Sequence, residues 1–281
     1  MTDTRRPGLV VFSDLDGTLL DHHTYSFEPA LPALRALRER GIPLILSTSK
    51  TVSELEVLRT QLAPGMPAVA ENGGHVLIPA GYFEGLRGET QAGLRDEQVH
   101  LGADYASIRA VLRSLRQRAG HPFRGFGDMD VNELARRTGL SADAAARAKQ
   151  RESSEPLLWQ GDAAGLTSFR NALEAHGLRL NRGGRFFHVQ AQIDKADGFT
   201  YLMARYQQAC GERPPSVAAG DGENDLGMLR AADHAIVIPP GDPTHPALAL
   251  VGTDCTHAHA PGPEGLCRAL LGLLDHLETR S

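Results

Sequence analysis

Residues 9–13 form a short apolar run that stops at Asp14, and the chain then turns at once through Leu15, Asp16, Gly17 and Thr18. A run this short, bounded by Pro-Gly and Asp, reads as a strand buried on both faces, the kind found in parallel sheets. Such a strand needs helices above and below it, and the sequence supplies them. Residues 29–40 place Leu31, Leu34 and Leu37 at helical spacing, with a proline near the start and Gly41 past the end. A second buried strand follows at 42–46, a helix at 51–62 and a third strand at 68–70, ahead of Glu71, Asn72, Gly73 and Gly74. Strand–helix alternation of this kind predicts a doubly wound α/β domain.

The alternation returns near the other end. Residues 195–209 put Phe199, Leu202, Met203 and Tyr206 on one helical face, followed by a small-residue strand at 216–219. A helix at 225–231, a strand at 235–238 and a closing helix at 263–277 complete the pattern. The middle reads differently. Helical stretches at 104–119, 131–137, 142–150 and 163–176 mix with strand-like segments at 98–102, 156–160, 178–180 and 186–189. The expectation is an α+β insert at 83–190, interrupting an α/β core made of 1–82 and 191–281. A chain of 281 residues is long enough for two such domains.

Composition excludes several classes. The net charge of -5 argues against nucleic acid and anionic membrane surfaces, which reward basic proteins. Cys210, Cys255 and Cys267 show no paired metal-ligand spacing, so a disulfide framework and a structural zinc site are not expected, and a reducing cytoplasm fits. No apolar run reaches the ~18 residues of a membrane span, and the polar opening residues lack the apolar stretch of a signal peptide. Arginine dominates the basic residues, which singles out the lysines at 50, 149 and 195.

Ligands in open α/β sheets sit beyond the carboxyl ends of the strands. Asp14 and Asp16 fall there, two residues apart, where they can share a hard divalent cation such as Mg2+. Taken alone, the same residues also read as an Asp-Gly turn with solvated carboxylates. A second acidic turn, Gly220 to Asp225, follows another strand and offers Asp221, Asn224 and Asp225 as oxygen ligands; alone, it also reads as acidic residues complementing a helix dipole. Two acidic strand ends in one sheet repel one another unless a cation lies between them. Ser47, Thr48, Ser49 and Lys50 open a helix after the second strand and can form an anion site or a simple N-cap. Lys195 stands at a helix start, a poor place for a cation by the helix dipole, which points to phosphate charge as its partner or to a solvated surface position.

In that order, DLDGT, a Ser/Thr after the second strand, a Lys and GDxxND make the chain resemble the haloacid dehalogenase-like phosphatase superfamily, across Asp14 to Asp225. The resemblance implies a Rossmann-like core, a nucleophilic aspartate, Mg2+ and, from the position of the insert, a C2-type cap as in Cof-like members. The insert is similar to that of mannosyl-3-phosphoglycerate phosphatases at Gly125 to Asp128, Arg137 to Ser141, Ala146 to Glu152 and Gly183 to His188, as are Asp16 to His23, Thr48 to Thr51 and Gly262 to Gly265. Family members often carry Gly after the motif lysine, where this chain has Ala196.

What that likeness implies is two-step hydrolysis of a phosphorylated glycoside. Asp14 is the expected nucleophile and Asp16 the acid and then base. Asp14, the Asp16 carbonyl and Asp221 are the expected Mg2+ ligands, with Asn224 and Asp225 completing the set. Thr48 or Ser49, with Lys195, is expected to hold the phosphoryl oxygens. A glycerate carboxylate calls for a bidentate arginine: Arg185 foremost, then Arg182, Lys149 and Arg151, with His188 beside them. Asn72 is either a substrate contact or a turn residue, and Trp159 either core or sugar platform. The rival functions are phosphatases of glucosyl-3-phosphoglycerate or other sugar phosphates, a phosphomutase, and an inactive sugar-phosphate sensor.

Overall fold

The computed structural model describes residues 6–87, 96–183, 186–241, 248 and 254–279. Its larger sheet has eight strands in the order β12-β11-β10-β1-β2-β3-β4-β5. Here β1 is Val10–Ser13, β2 Leu44–Ser47, β3 Ala68–Ala70, β4 His75–Ile78, β5 Glu97–His100, β10 Ser216–Gly220, β11 His234–Val237 and β12 Cys255–His257. The six strands from β12 to β3 run parallel, while β4 and β5 add to the edge antiparallel.

Alternating side chains send successive strand residues to opposite faces. Val11, Leu44 and Leu46 pack under α1 (Leu31–Glu39), α2 (Val52–Leu62) and α10 (Gly262–Glu278). Val10, Phe12 and Ile45 pack under α3 (Tyr82–Arg87), α8 (Lys195–Cys210) and α9 (Leu226–Ala231). Both faces of the central strands are therefore apolar, which is why their sequence shows unbroken hydrophobic runs.

A second, four-stranded antiparallel sheet has the order β6-β7-β9-β8, made of Phe123–Gly125, Ser154–Trp159, Phe186–Ala191 and Leu178–Gly183. Helices α4 (Tyr105–Ala119) and α7 (Ala163–Glu174) cover one face through Ile108, Leu112, Phe169 and Leu173. A smaller cluster joins α5 (Val131–Thr138) and α6 (Ala142–Ala148) to Phe126, Met129 and Phe186. Trp159, partly buried, stacks on Phe169 with ring centroids 5.3 Å apart and donates its indole N–H to the Asp162 carbonyl.

The segment 98–102, read from sequence with the insert, instead yields β5 at the edge of the larger sheet. It follows β4, which the sequence reading passed over. The backbone reverses after β3 through Glu71, Asn72 and Gly73, all at positive φ (49°, 53° and 96°), and sends β4 back antiparallel. The Cβ a side chain would add at Gly73 falls 2.0 Å from the Asp194 carbonyl oxygen, so this reversal needs glycine for space as well as for φ. The three cysteines are free thiols, and among the described residues no helix is long and apolar enough to cross a membrane.

Candidate active site

From β1 the chain steps sideways through β2 and β3, and from β10 it steps the other way through β11 and β12. Between β1 and β10 the loops diverge, which opens the crevice where α/β sheets take ligands. β1 ends at Ser13 and delivers Asp14 there; β10 ends at Gly220 and delivers Asp221. The Asp14 N–H donates to the Ala219 carbonyl at 2.9 Å and fixes one loop on the other. Gly17 turns at φ +84°, and a Cβ on it would stand 2.5 Å from Asp221 Oδ2. The Asp-Gly turn is thus a close approach between two acidic loops.

Lys195 is the first residue of α8, whose start is capped by Asp194 accepting the Ala196 N–H at 2.7 Å. The lysine is wholly buried, with Nζ 2.5 Å from Asp14 Oδ1 and 2.6 Å from Asp225 Oδ1. The other Asp225 oxygen accepts the N–H groups of Asp221 and Gly222 at 3.1 and 3.0 Å. Asp225 therefore orients both the lysine and the loop that carries Asp221. Thr18 Oγ1 donates to Asp221 Oδ1 at 3.3 Å.

Oxygens of Asp14, Asp221 and Asp225 lie within 4.8 Å of one another. Burial pushes the Asp14 carboxyl well above the usual carboxylate range; Lys195 opposes that, while Asp225, Asp221 and Asp16 add to it. Burial and then Asp225 push Asp221 up to about 7. Burial would lower the Lys195 ammonium, but Asp14 and Asp225 override it and hold the group above the ordinary lysine range. One lysine cannot offset three clustered carboxylates, two of them buried and the third half-buried. An all-oxygen donor set still short of positive charge fits a hard divalent cation.

Asp16 follows a different course from the other acids. Its Oδ2 forms an ion pair with Lys50 Nζ at 2.7 Å, and its Oδ1 is buried without a hydrogen-bond partner among the described residues. Lys50 also lies 5.2 Å above the Tyr25 ring. The sequence reading placed Lys50 at a helix start and singled it out as one of three lysines, but gave it no partner in the site. Thr48 is buried and its hydroxyl accepts the Lys50 N–H at 3.2 Å, while Ser49 lines the cavity described next.

A cavity of about 240 Å³ separates these loops from the smaller sheet. Asp14, Asp16, Asp221 and Asn224 line it on one side, Arg151, Phe186 and His188 on the other. Burial, with Arg151 and Lys195 nearby, pushes the His188 imidazole down to about 3, so it is neutral, and its Nδ1 is buried without a partner among the described residues. Arg151 Nη2 donates to the Ser49 carbonyl at 2.9 Å and to Ser154 Oγ at 2.7 Å. Asn72 does not stand alone as a turn residue. Asn224 Nδ2 donates to Asn72 Oδ1 at 3.2 Å, and Asn72 Nδ2 donates to Gln190 Oε1 at 3.3 Å, linking the metal-type loop to the smaller sheet.

Two expected substrate contacts are placed elsewhere. Lys149 Nζ donates to the carbonyls of Phe126 (2.7 Å) and Met129, where it closes a turn of the insert. Arg182 is exposed on β8 and does not line the cavity. Neither location was legible in the sequence, because the free direction of a long side chain depends on which carbonyls face it. Arg185 lies outside the described residues; its neighbour Phe186 lines the cavity.

Glu71 is a residue that the sequence reading missed. It is wholly buried after β3, and it accepts the Glu152 N–H at 2.8 Å, the Ser153 N–H at 3.1 Å and Ser154 Oγ at 2.6 Å, with Arg151 Nε at 3.6 Å. A single carboxylate of the core thus clasps the strand entering the smaller sheet.

Fold and site together define a phosphoryl-transfer type of α/β hydrolase, with an acidic pair at the first strand end and a buried lysine. Residues 11–99 match the haloacid dehalogenase-like hydrolase family. The chain is 37% identical over 267 residues to a glucosyl-3-phosphoglycerate/mannosyl-3-phosphoglycerate phosphatase of Methanococcoides burtonii, covering 94% of this chain and 97% of that protein. A protein of the same description from Persephonella marina is 34% identical over 271 residues, covering 96% and 98%. In fold the chain is similar to the sucrose-phosphatase of Synechocystis, solved with sucrose and phosphate, at TM-score 0.61 and 14% identity over 97% of this chain and 98% of that one. The chain belongs to the haloacid dehalogenase-like hydrolases, and within them to the phosphatases.

Proposed function

We propose that this phosphatase hydrolyses mannosyl-3-phosphoglycerate, and with it glucosyl-3-phosphoglycerate, in a Mg2+-dependent reaction through an aspartyl phosphate on Asp14. The observation that carries the chemistry is Asp14 at the end of β1, held by buried Lys195 at 2.5 Å and facing the same cavity as Asp16. The substrate rests on the two relatives, which are named for both glycosides and match almost from end to end.

In this reading an Asp14 oxygen attacks phosphorus, so one hard displacement becomes two easier ones. Lys195 holds positive charge beside that carboxylate and the incoming phosphoryl oxygens. Asp16 uses its unpaired Oδ1 to give a proton to the leaving oxygen and later to take one from water, while Lys50 holds Oδ2 still. Ser49 is the hydroxyl on the cavity side of the phosphate. Mg2+, held by Asp14, the Asp16 carbonyl and Asp221 and supported by Asp225 and Asn224, supplies charge neutralisation of the phosphoryl group when bound.

The two sheets serve as separate domains in this proposal. The eight-stranded sheet is the catalytic core, and the four-stranded sheet with α4 to α7 is the cap that selects substrate. His188 and Arg151 face the substrate from the cap, with Arg185 as the carboxylate's partner. A neutral His188 suits a sugar hydroxyl better than an anion. Free thiols and the absence of a basic balance agree with a cytoplasmic enzyme acting on a small molecule.

A phosphate-release assay over a panel of sugar phosphates with Mg2+ tests this. The highest kcat/KM is expected for the two 3-phosphoglycerate glycosides, and Arg185→Ala is expected to raise KM for them more than for phosphosugars lacking a carboxylate. Preference for a sugar phosphate without a carboxylate overturns the substrate, and an isomeric phosphosugar formed without free phosphate overturns hydrolysis.

A further inference from the structure

His75 begins β4 and His100 ends β5, and the two are direct register partners across the antiparallel pair. Their rings lie 4.1 Å apart, centroid to centroid, at 70°. Glu152, from the segment entering the smaller sheet, places Oε2 4.0 Å from His75 Nδ1 and 4.0 Å from His100 Nε2. All three ligand atoms fall within 4.8 Å of one another. None of these residues belongs to the acidic cluster around Asp14.

Two features point to a ligand. The His75 side chain is fully buried, and neither of its ring nitrogens has a hydrogen-bond partner among the described residues. A buried polar group left unpaired costs free energy, so a wholly orphaned imidazole calls for an occupant. The other two residues are half-open to solvent, with side chains 55% and 42% exposed for His100 and Glu152, which leaves a route in and room for a water ligand. Burial lowers the proton affinity of His75, and the neutral form is the one that ligates.

We infer that His75, His100 and Glu152 form a second metal site, selective for a divalent transition metal of the zinc class, that bridges the larger sheet to the strand entering the smaller one. Two imidazoles and one carboxylate are the donor set such ions prefer, whereas Mg2+ and Ca2+ prefer oxygen alone. Ligand atoms around a tetrahedral Zn2+ stand about 3.3 Å apart, given metal–ligand bonds of about 2.0–2.1 Å. The two carboxylate–imidazole spacings of 4.0 Å need a contraction of about 0.7 Å, and the imidazole–imidazole spacing, within 4.8 Å, one of at most about 1.5 Å, within reach of the two exposed side chains. The backbone N–H of Glu152 is already held by Glu71, so the ion would bind beside a clasp that is formed without it.

The test is Zn2+ titration of the full chain, stripped with chelator, in excess Mg2+ to occupy the carboxylate site. Calorimetry is expected to show a Zn2+ site that weakens by at least about tenfold in both His100→Ala and Glu152→Ala, since losing even a partner of a metal ligand costs about 10–100-fold. Both variants remove exposed side chains, and unchanged far-UV circular dichroism checks their folds. Co2+ offered instead is expected to give visible d–d bands in the wild type that both variants lose. Equal Zn2+ affinity in wild type and variants, no Zn2+ binding at all, or Co2+ bands that survive His100→Ala overturns the site. Because the readouts are binding and spectra, failure of the proposed hydrolysis would leave this result untouched.

Discussion

Lys195 Nζ lies 2.5 Å from Asp14 Oδ1 although the two residues are 181 positions apart. The contact joins the end of the first strand to the start of α8, and a third group, Asp225, holds the same ammonium at 2.6 Å. All three are buried; the two carboxylates keep the ammonium charged, and the ammonium opposes the burial that disfavours a charged Asp14. The consequences reach stability as well as catalysis.

Replacing Asp14 with Asn removes the proposed nucleophile and keeps the shape. Turnover is expected to fall by about 10⁴-fold or more, the scale at which loss of a nucleophile registers. Steady-state phosphate release measures it, and full activity in Asp14→Asn would remove the aspartate from its role.

Lys50 steadies Asp16 through one oxygen. Lys50→Ala is expected to lower kcat by about 10–100-fold while KM changes less, since general acid–base catalysis contributes about 10²–10⁴-fold when the group is correctly placed. Lys50→Arg is expected to recover part of the loss. An unchanged kcat in Lys50→Ala would show that Asp16 needs no such hold.

The acidic cluster sets a pH dependence whose sign follows from Asp221. Its carboxyl moves from an ordinary 3.8 up to about 7 on folding. Between those values the folded chain keeps a proton that the unfolded chain has lost, so stability without metal falls as pH rises through that window. Divalent cation must displace the same proton, so Mg2+ affinity is expected to rise with pH until about 7 and then level off. Denaturant melts with chelator or with Mg2+, together with calorimetric titration across the window, measure both trends. Stability rising with pH in chelator would contradict the sign.

Gly17→Ala tests the close approach of the two acidic loops. The position needs φ +84°, and the added Cβ would meet Asp221 Oδ2 at 2.5 Å. Backbone strain of this kind costs about 1–3 kcal/mol, and the displaced Asp221 is expected to weaken Mg2+ binding as well. Equilibrium unfolding and the Mg2+ dependence of rate report the two effects separately.

Glu71→Ala leaves three donors and the Arg151 guanidinium without their buried acceptor. Breaking a buried ion pair from one side costs about 3–5 kcal/mol, and Glu71→Gln, which keeps a carbonyl acceptor, is expected to cost less. Chemical denaturation compares them. Equal stability of Glu71→Ala and wild type would remove the clasp.

The larger sheet was legible because its central strands are buried on both faces and announce themselves as apolar runs ending in Asp14 and Gly220. Edge elements were not: β5, with the sequence Glu97-Gln98-Val99-His100, is mostly exposed and was read with the insert. The sequence alone singled out Asp14, Asp16, Asp221, Asn224, Asp225 and Lys195, not because each lacks a bland reading but because two acidic strand ends in one sheet repel one another without a cation and the motifs follow in one order. It could not say which way a flexible cation turns. Tertiary structure decided that Lys149 closes a turn while Lys50, a residue of the same type, reaches Asp16, and that Glu71 and Arg151 clasp the two sheets. The reason is physical: strand and helix patterns arise from neighbours along the chain, whereas the partner of a long charged side chain is whichever carbonyl or carboxylate the fold brings within about 3 Å.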